Sequence, residues 1–195
     1  MYKRQAFDGL DDYIQKLPAA MYEEHALCLA LKGYQLSRAG RNDEALDTVV
    51  RAVAQSSGIR SEPALQNIYR AYAYSHTNAW MWREAEWGLG QYERVIQTDD
   101  NIYNAIHCDN LKLVVQANLR GYRDVFHRQI ALMVKTLEHA GRPDSDPAWR
   151  DWMISENLHD LYNGALCLGE TDAALQFYDR AKRIVESVDS KVAVH

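Results

Sequence analysis

The sequence contains few of the residues that most strongly interrupt helices. Among its 195 residues there are four prolines and ten glycines. Chains that cannot form a packed core are usually rich in both, so this scarcity argues against disorder and against collagen-like folds. It also leaves few turn residues for a many-stranded β fold. We therefore expect an all-α protein.

Cysteine is also scarce. Cys28, Cys108 and Cys167 are far apart, odd in number and each set in an apolar helical context. Small extracellular domains use even numbers of cysteines as disulfide pairs. The three are predicted to be buried free thiols in a reducing compartment. Because the N-terminus lacks the long apolar core of a signal peptide, we expect that compartment to be the cytoplasm.

Two further absences concern partners. No stretch approaches the roughly 20 continuous apolar residues of a membrane span, so no membrane partner is expected. There is also no dense run of Lys or Arg, and the formal net charge is −5. Since phosphate contacts dominate nucleic-acid affinity, the chain is predicted not to bind nucleic acid directly.

Motifs of catalysis and metal binding are missing as well. The sequence has no P-loop, HExxH, CxxC or nucleophile elbow, and Gly88-Leu89-Gly90 lacks the third glycine of a dinucleotide site. His25 and Cys28 stand at i and i+3, as metal ligands on a helix do. A structural zinc site needs four ligands, so a half-buried histidine and a core thiol are the preferred interpretation. We predict no enzyme, no cofactor and no metal.

What the sequence does contain is helical periodicity of apolar residues, for example Ala45, Val49 and Ala52. Each such stripe must be buried against a neighbour. Gly40 is suited to close a helix, and Asn42 and Ser61 are suited to cap the next ones. The pattern predicts a short helix over about 8–16 and then four pairs, at about 20–39 with 42–56, 62–77 with 80–97, 101–119 with 122–139, and 147–168 with 171–188.

Two of these pairs resemble the tetratricopeptide repeat. The first has Gly33, Ala45 and Ala52 at the small positions of that family, and the stretch from Gly40 to Leu46 is similar to its turn and second-helix opening. The stretch from Gly169 to Leu175 in the last pair is equally similar. The middle pairs depart from the pattern, with Tyr92 in the second and Leu113, Val125 and Leu132 in the third at positions where small residues are usual.

The resemblance implies a right-handed α–α superhelix of about four antiparallel helix pairs, at about 20–56, 62–97, 101–139 and 147–188, forming one domain over 1–195. It also implies that the first helix of each pair lines a concave groove. The inward positions are Tyr34, Arg38, Asn67, Arg70, Tyr74, Asn78, His107, Asn110, Glu156, His159 and Asn163. Asparagine amides can hold a peptide backbone, and an arginine fork matches a carboxylate.

We therefore predict a scaffold or regulatory module that binds a peptide or partner protein, similar to the arrays of bacterial regulators. In a competing interpretation the inward set is simply a solvated face. Trp80, Trp82 and Trp87 are expected to pack in the core, although Trp87 lies off the main stripe of its helix and is a candidate exposed anchor.

Three alternatives stay open. One is a small-ligand sensor or enzyme with a pocket between helices that uses His76, His107 or His159. Another is homo-oligomerisation through an exposed repeat end. The opening residues Met1-Tyr2-Lys3-Arg4-Gln5 also resemble a translated sequencing adapter, which predicts a metagenomic fragment of a longer bacterial protein.

Overall fold

The structure is a computed structural model, and it describes residues 2–97, 101–142 and 145–192. Within these ranges the regular structure consists of nine α-helices and two short 3₁₀ helices, Ser56–Gly58 and Tyr122–Asp124, with no strand. The prediction of an all-α protein is therefore confirmed. The α-helices are α1 Tyr2–Lys16, α2 Tyr22–Arg38, α3 Asn42–Ala54, α4 Glu62–Asn78, α5 Trp82–Ile96, α6 Ile102–Arg120, α7 Phe126–Ala140, α8 Pro147–Cys167 and α9 Thr171–Val192.

The chain forms two compact units, Met1–Leu111 (unit 1) and Lys112–His195 (unit 2), and the division falls within α6. In unit 1, α2 packs against α3, α4 packs against α5, and α4 also contacts both helices of the first hairpin. In unit 2, α8 packs against α7 and α9. The single repeat domain expected from the sequence stays a prediction.

The predicted boundaries differ from the structure, for example at three helix starts and at one helix end. α1 begins at Tyr2 and not near residue 8. α7 begins at Phe126, because the preceding residues form the 3₁₀ helix Tyr122–Asp124. α5 begins at Trp82, since the two residues before it belong to the hairpin turn. α9 continues to Val192, beyond the predicted end.

Three hairpin turns, α2–α3, α4–α5 and α8–α9, close in the same way. In each, one residue is left-handed, and the next residue's N–H reaches back over the helix end to a carbonyl of the last helical turns. The left-handed residues are Gly40, Trp80 and Gly169, at φ 75°, 63° and 83°. The bonds run from Arg41 to Leu36, from Met81 to His76 and from Glu170 to Ala165, at 3.0, 2.9 and 2.9 Å.

Each hairpin of unit 1 has a glycine where its two helices cross. In α2–α3 the glycine is on the first helix, and a Cβ on Gly33 would collide with Cγ1 of Val49. In α4–α5 it is on the second helix. A Cβ on Gly88 would lie 2.6 Å from Cδ1 of Tyr72 and 3.3 Å from the backbone of Ala73. Gly88 is therefore required for close helix packing, and this accounts for the first glycine of Gly88-Leu89-Gly90.

The two predicted N-caps have different outcomes. The Oγ of Ser61 accepts the N–H of Ala64 at 3.4 Å, as expected for the start of α4. Asn42 was expected to cap α3, and this is wrong, because Asn42 is the first helical residue and its side chain makes no capping bond. Its Nδ2 instead donates to the carbonyl oxygen of Asn78 at 3.2 Å.

The thiols are only partly buried. Cys108 is buried and Cys28 is half-buried, but Cys167 is exposed, so the prediction of three buried thiols is wrong at this position. Cys167 is the last residue of α8, and Leu166 beside it is also 48% exposed, so this end of the helix is uncovered.

Over the described part of the chain, no helix has the length and apolar character needed to cross a bilayer.

Candidate functional site

The predicted groove residues come closest together in unit 1, on one side of α2 and α4. The rings of Tyr34 on α2 and Tyr74 on α4 have centroids 4.7 Å apart and are tilted by 43°. Both side chains are half-buried. We define the α2–α4 face as the predicted groove residues of these two helices, namely Tyr34, Arg38, Asn67, Arg70, Tyr74 and Asn78.

Arg70 is held in place at the centre of this face. Its Cζ lies 5.7 Å from the centroid of the Tyr34 ring, a cation–π contact, and its Nη2 donates to Oδ1 of Asn67 at 2.7 Å. Asn67 is anchored in turn, since its Nδ2 donates to the carbonyl oxygen of Pro63 at 2.8 Å. A half-buried guanidinium held from two sides loses little freedom when it binds a ligand.

Asn78 connects the two hairpins at their tips. Its Nδ2 donates to Oγ of Ser37 at 2.9 Å, while its carbonyl oxygen accepts from Asn42. Arg38, the last residue of α2, is exposed and directly follows Ser37. Asn78 thus has a structural role that its place in the predicted groove did not reveal.

His107 and Asn110 on α6 are buried, each with 6% of its surface exposed. Burial lowers the pKa of His107 to about 3, and the nearby charge of Arg70 acts in the same direction. The imidazole is therefore neutral at physiological pH. Both side chains lie below the surface, where a peptide cannot reach them without local opening.

Sequence reasoning missed a contact that ties the start of α6 to the second hairpin. Tyr92 has a large side chain where the repeat family has a small one, and it is completely buried. Its hydroxyl donates to Oδ1 of Asn104 at 3.3 Å, and Nδ2 of Asn104 donates to Gln66 at 3.3 Å. The large side chain of Tyr92 therefore forms a hydrogen-bonded connection from α5 to α6 at a position where the repeat family has a small residue.

The remaining predicted groove residues belong to unit 2. His159 and Glu156 are exposed on α8, and Asn163 is half-buried. The ring of Tyr162 lies between two others, 6.3 Å from His159 and 5.6 Å from Tyr178 on α9. Unit 2 therefore carries a smaller aromatic cluster of its own.

The tryptophans differ from the expectation of core packing. Trp80 is 76% exposed, and its ring lies 5.8 Å from that of Trp82. Trp87, the candidate anchor, is 47% exposed and makes edge contacts with Tyr69 and Tyr72, at 6.3 and 5.2 Å. The core prediction is wrong for Trp80, because its turn position directs the side chain outward.

Among the described residues, the histidines do not gather into a cluster with other possible metal ligands. His76 is buried and stacks on Tyr72 with 3.9 Å between centroids, and its Nδ1 lies 2.8 Å from the carbonyl oxygen of Tyr72. Burial lowers its pKa. The Nδ1 of His25 pairs with Oε1 of Gln55 at 2.9 Å. Nowhere in the described ranges do three His, Cys, Asp or Glu side chains come together as metal ligands would.

Comparisons with protein-family models, with curated proteins and with solved structures give no match.

Proposed function

We propose that the chain is a protein-interaction module that binds an extended peptide segment of a partner on the α2–α4 face. In this proposal the hairpins stack as a right-handed superhelix similar to tetratricopeptide arrays. The module works by offering a preformed surface in the cytoplasm, without bond chemistry, as expected for a scaffold or regulatory protein.

The observation that carries the proposal is the ordered contact of Tyr34, Tyr74 and Arg70 across two hairpins. A solvated face without a ligand needs no such order, since exposed polar side chains are normally mobile. Here two half-buried rings supply flat apolar area, and a cation is fixed beside them. Such preorganisation lowers the entropy that binding costs.

The same residues define the chemistry of the partner segment. The tyrosine pair fits a flat apolar side chain or a proline, and tyrosine is among the residues that most often dominate binding energy. Arg70, with exposed Arg38 on the same face, fits a carboxylate of the segment. We therefore expect an acidic segment that contains an aromatic residue or proline.

A peptide-display selection on the whole chain tests this proposal. Peptides enriched on the native protein are expected to bind Tyr74→Ala and Arg38→Gln at least about tenfold more weakly, because each change removes one recognised group. The matched control is Arg94→Gln, which removes a charge from α5, outside the α2–α4 face. Melting temperatures of all variants are measured in parallel.

Equal binding to the native protein and to Tyr74→Ala and Arg38→Gln would overturn the proposal, as would an equal loss in Arg94→Gln. If Arg38→Gln loses binding without any fall in melting temperature, the residue acts in recognition and not in folding. Enrichment of basic peptides would contradict the predicted partner chemistry.

A further inference from the structure

A cleft of about 450 Å³ lies in unit 1, at the end of the first hairpin opposite its tip. It is bounded by the last turn of α1, by the connection to α2, and by side chains of α2 and α3. This volume is within the range of roughly 300–1,000 Å³ that is usual for small-molecule sites. No residue of the α2–α4 face lines it.

One side of the cleft is apolar. Ile14, Leu17, Pro18 and Ala19 form this wall, at the end of α1 and in the connection that follows. The connection is fixed by hydrogen bonds, since the N–H of Leu17 donates to Ile14 at 3.3 Å and the N–H of Met21 donates to Pro18 at 2.9 Å. The wall can therefore cover the apolar body of a ligand without first being ordered.

The remaining residues that line the cleft are polar, and three of them are held by hydrogen bonds. The hydroxyl of Tyr22 donates to the carbonyl oxygen of Gly58 at 2.9 Å. Nδ1 of half-buried His25 pairs with Oε1 of Gln55 at 2.9 Å. Because an amide oxygen only accepts, Nδ1 carries the hydrogen in this pairing, and in that tautomer Nε2 is the acceptor for a ligand hydroxyl.

A cation completes the lining. Arg51 of α3 borders the cleft, and its side chain is 57% exposed. Its Nη1 lies 3.9 Å from Asp47, and an exposed pair at this distance contributes about 0–1 kcal/mol at most, so the guanidinium is available to a stronger partner. A carboxylate offers the two-pronged match that a guanidinium prefers.

We propose that this cleft binds a small organic carboxylate with an apolar, hydroxyl-bearing body. The body lies on the wall of Ile14, Leu17 and Pro18. The carboxylate pairs with Arg51, and the hydroxyl donates to Nε2 of His25. The site is separate from the peptide surface and makes unit 1 a receptor for a metabolite-sized molecule.

Titration of the full chain with 4-hydroxyphenylacetate, followed by amide chemical shifts, tests the site. Saturable shifts are expected in residues 14–25 and 51–58. Tyrosol, which has an alcohol in place of the carboxylate, is expected to bind at least about tenfold more weakly, and phenylacetate, which lacks the hydroxyl, is expected to bind less well than the probe.

Two variants locate the contacts. Arg51→Gln is expected to weaken 4-hydroxyphenylacetate about tenfold and to leave tyrosol unchanged, whereas Arg83→Gln on α5 has no effect. Ala19→Trp fills the cleft from an exposed position, so it should abolish binding while the chain stays folded. The melting temperature of each variant establishes that it folds.

Absence of saturable shifts with 4-hydroxyphenylacetate would overturn the site, and so would shifts confined to other residues. Equal binding to Arg51→Gln and to the native chain would also overturn it. Tyr74→Ala is expected to leave this titration unchanged, so failure here and failure of the peptide proposal are distinguishable.

Discussion

The rings of Tyr34 and Tyr74 are one hairpin apart in the chain and yet lie with centroids 4.7 Å apart. Tilted aromatic pairs contribute about 0.5–1.5 kcal/mol beyond the area they bury. A double-mutant cycle with Tyr34→Leu and Tyr74→Leu, measured by urea unfolding, should give a coupling energy in this range. Coupling near zero would mean that the two rings do not fix α2 against α4.

The buried His107 should make unfolding depend on pH. Its pKa in the folded chain is about 3, below the value of 6.5 in the unfolded chain. Between these values the unfolded state takes up a proton that the folded state does not. Stability from this group is therefore complete above pH 6.5 and falls as the pH drops toward 3, by at most about 1.4 kcal/mol per pH unit.

Replacing His107 by Gln removes the titrating group, so the slope of unfolding free energy against pH should become shallower between about pH 6 and 4. Measurements in urea at several pH values report this slope. His159→Gln is the control, because His159 is exposed. An unchanged slope in His107→Gln would show that the imidazole is accessible to protons in the folded chain.

Gly88 and Gly90 provide a matched pair on one helix. A Cβ on Gly88 would lie 2.6 Å from Tyr72, whereas a Cβ on Gly90 would meet nothing within 4 Å. Gly88→Ala should cost about 1–3 kcal/mol through overpacking, and Gly90→Ala should gain up to about 1 kcal/mol through helix propensity. Chemical unfolding of the two variants tests the opposite signs, and equal effects would contradict the close crossing.

The left-handed turn residue Trp80 should be less favourable than glycine. For a residue with a Cβ this backbone region costs roughly 1–2 kcal/mol. Since Trp80→Gly and Trp80→Ala both remove the ring and its contact with Trp82, their difference isolates the backbone. We expect the glycine variant to be more stable by about 1 kcal/mol in thermal unfolding. Gly40→Ala should lose a similar amount, and equal stability of Trp80→Ala and Trp80→Gly would contradict the strain.

The α7–α8 core of unit 2 offers a further contrast. Gln129 is 3% exposed, and among the described residues its Oε1 has no hydrogen-bond partner. Gln129→Leu should stabilise the chain by about 1 kcal/mol, because a buried amide oxygen without a hydrogen-bond partner is costly. Asn157→Leu should destabilise it, since Nδ2 of Asn157 donates to Met153 at 2.8 Å and to Thr136 at 3.4 Å. Calorimetry distinguishes the two signs.

The helices and hairpin turns were predictable because their determinants are local. Apolar spacing identified every helix from α2 to α9, and glycine identified two of the three left-handed turns. The third turn holds Trp80, for which no local signal exists. Its left-handed backbone completes the same closing hydrogen bond from Met81 that the glycine turns make, although the residue type does not favour it.

The sequence predicted which residues form the candidate site but not how deeply each of them is buried. The resemblance to the tetratricopeptide repeat placed Tyr34, Arg70 and Tyr74 on one face, and the structure brings them together. It could not predict that His107 and Asn110 are buried, because α6 is buried on several sides and no single apolar stripe stands out. The side-chain bond from Asn42 to Asn78 also joins residues that are distant in sequence, which no spacing rule detects.

The crossing glycine lies on the first helix of the α2–α3 hairpin and on the second helix of the α4–α5 hairpin. This difference limits how helices of the two hairpins can be recombined. A chimera of α2 with α5 would bring together the two helices that each carry a glycine at the crossing. A chimera of α4 with α3 would set Ala73 opposite Val49 and force an overlap. Each hairpin is therefore a matched unit, and a chimera built from this chain should keep the two helices of a hairpin together.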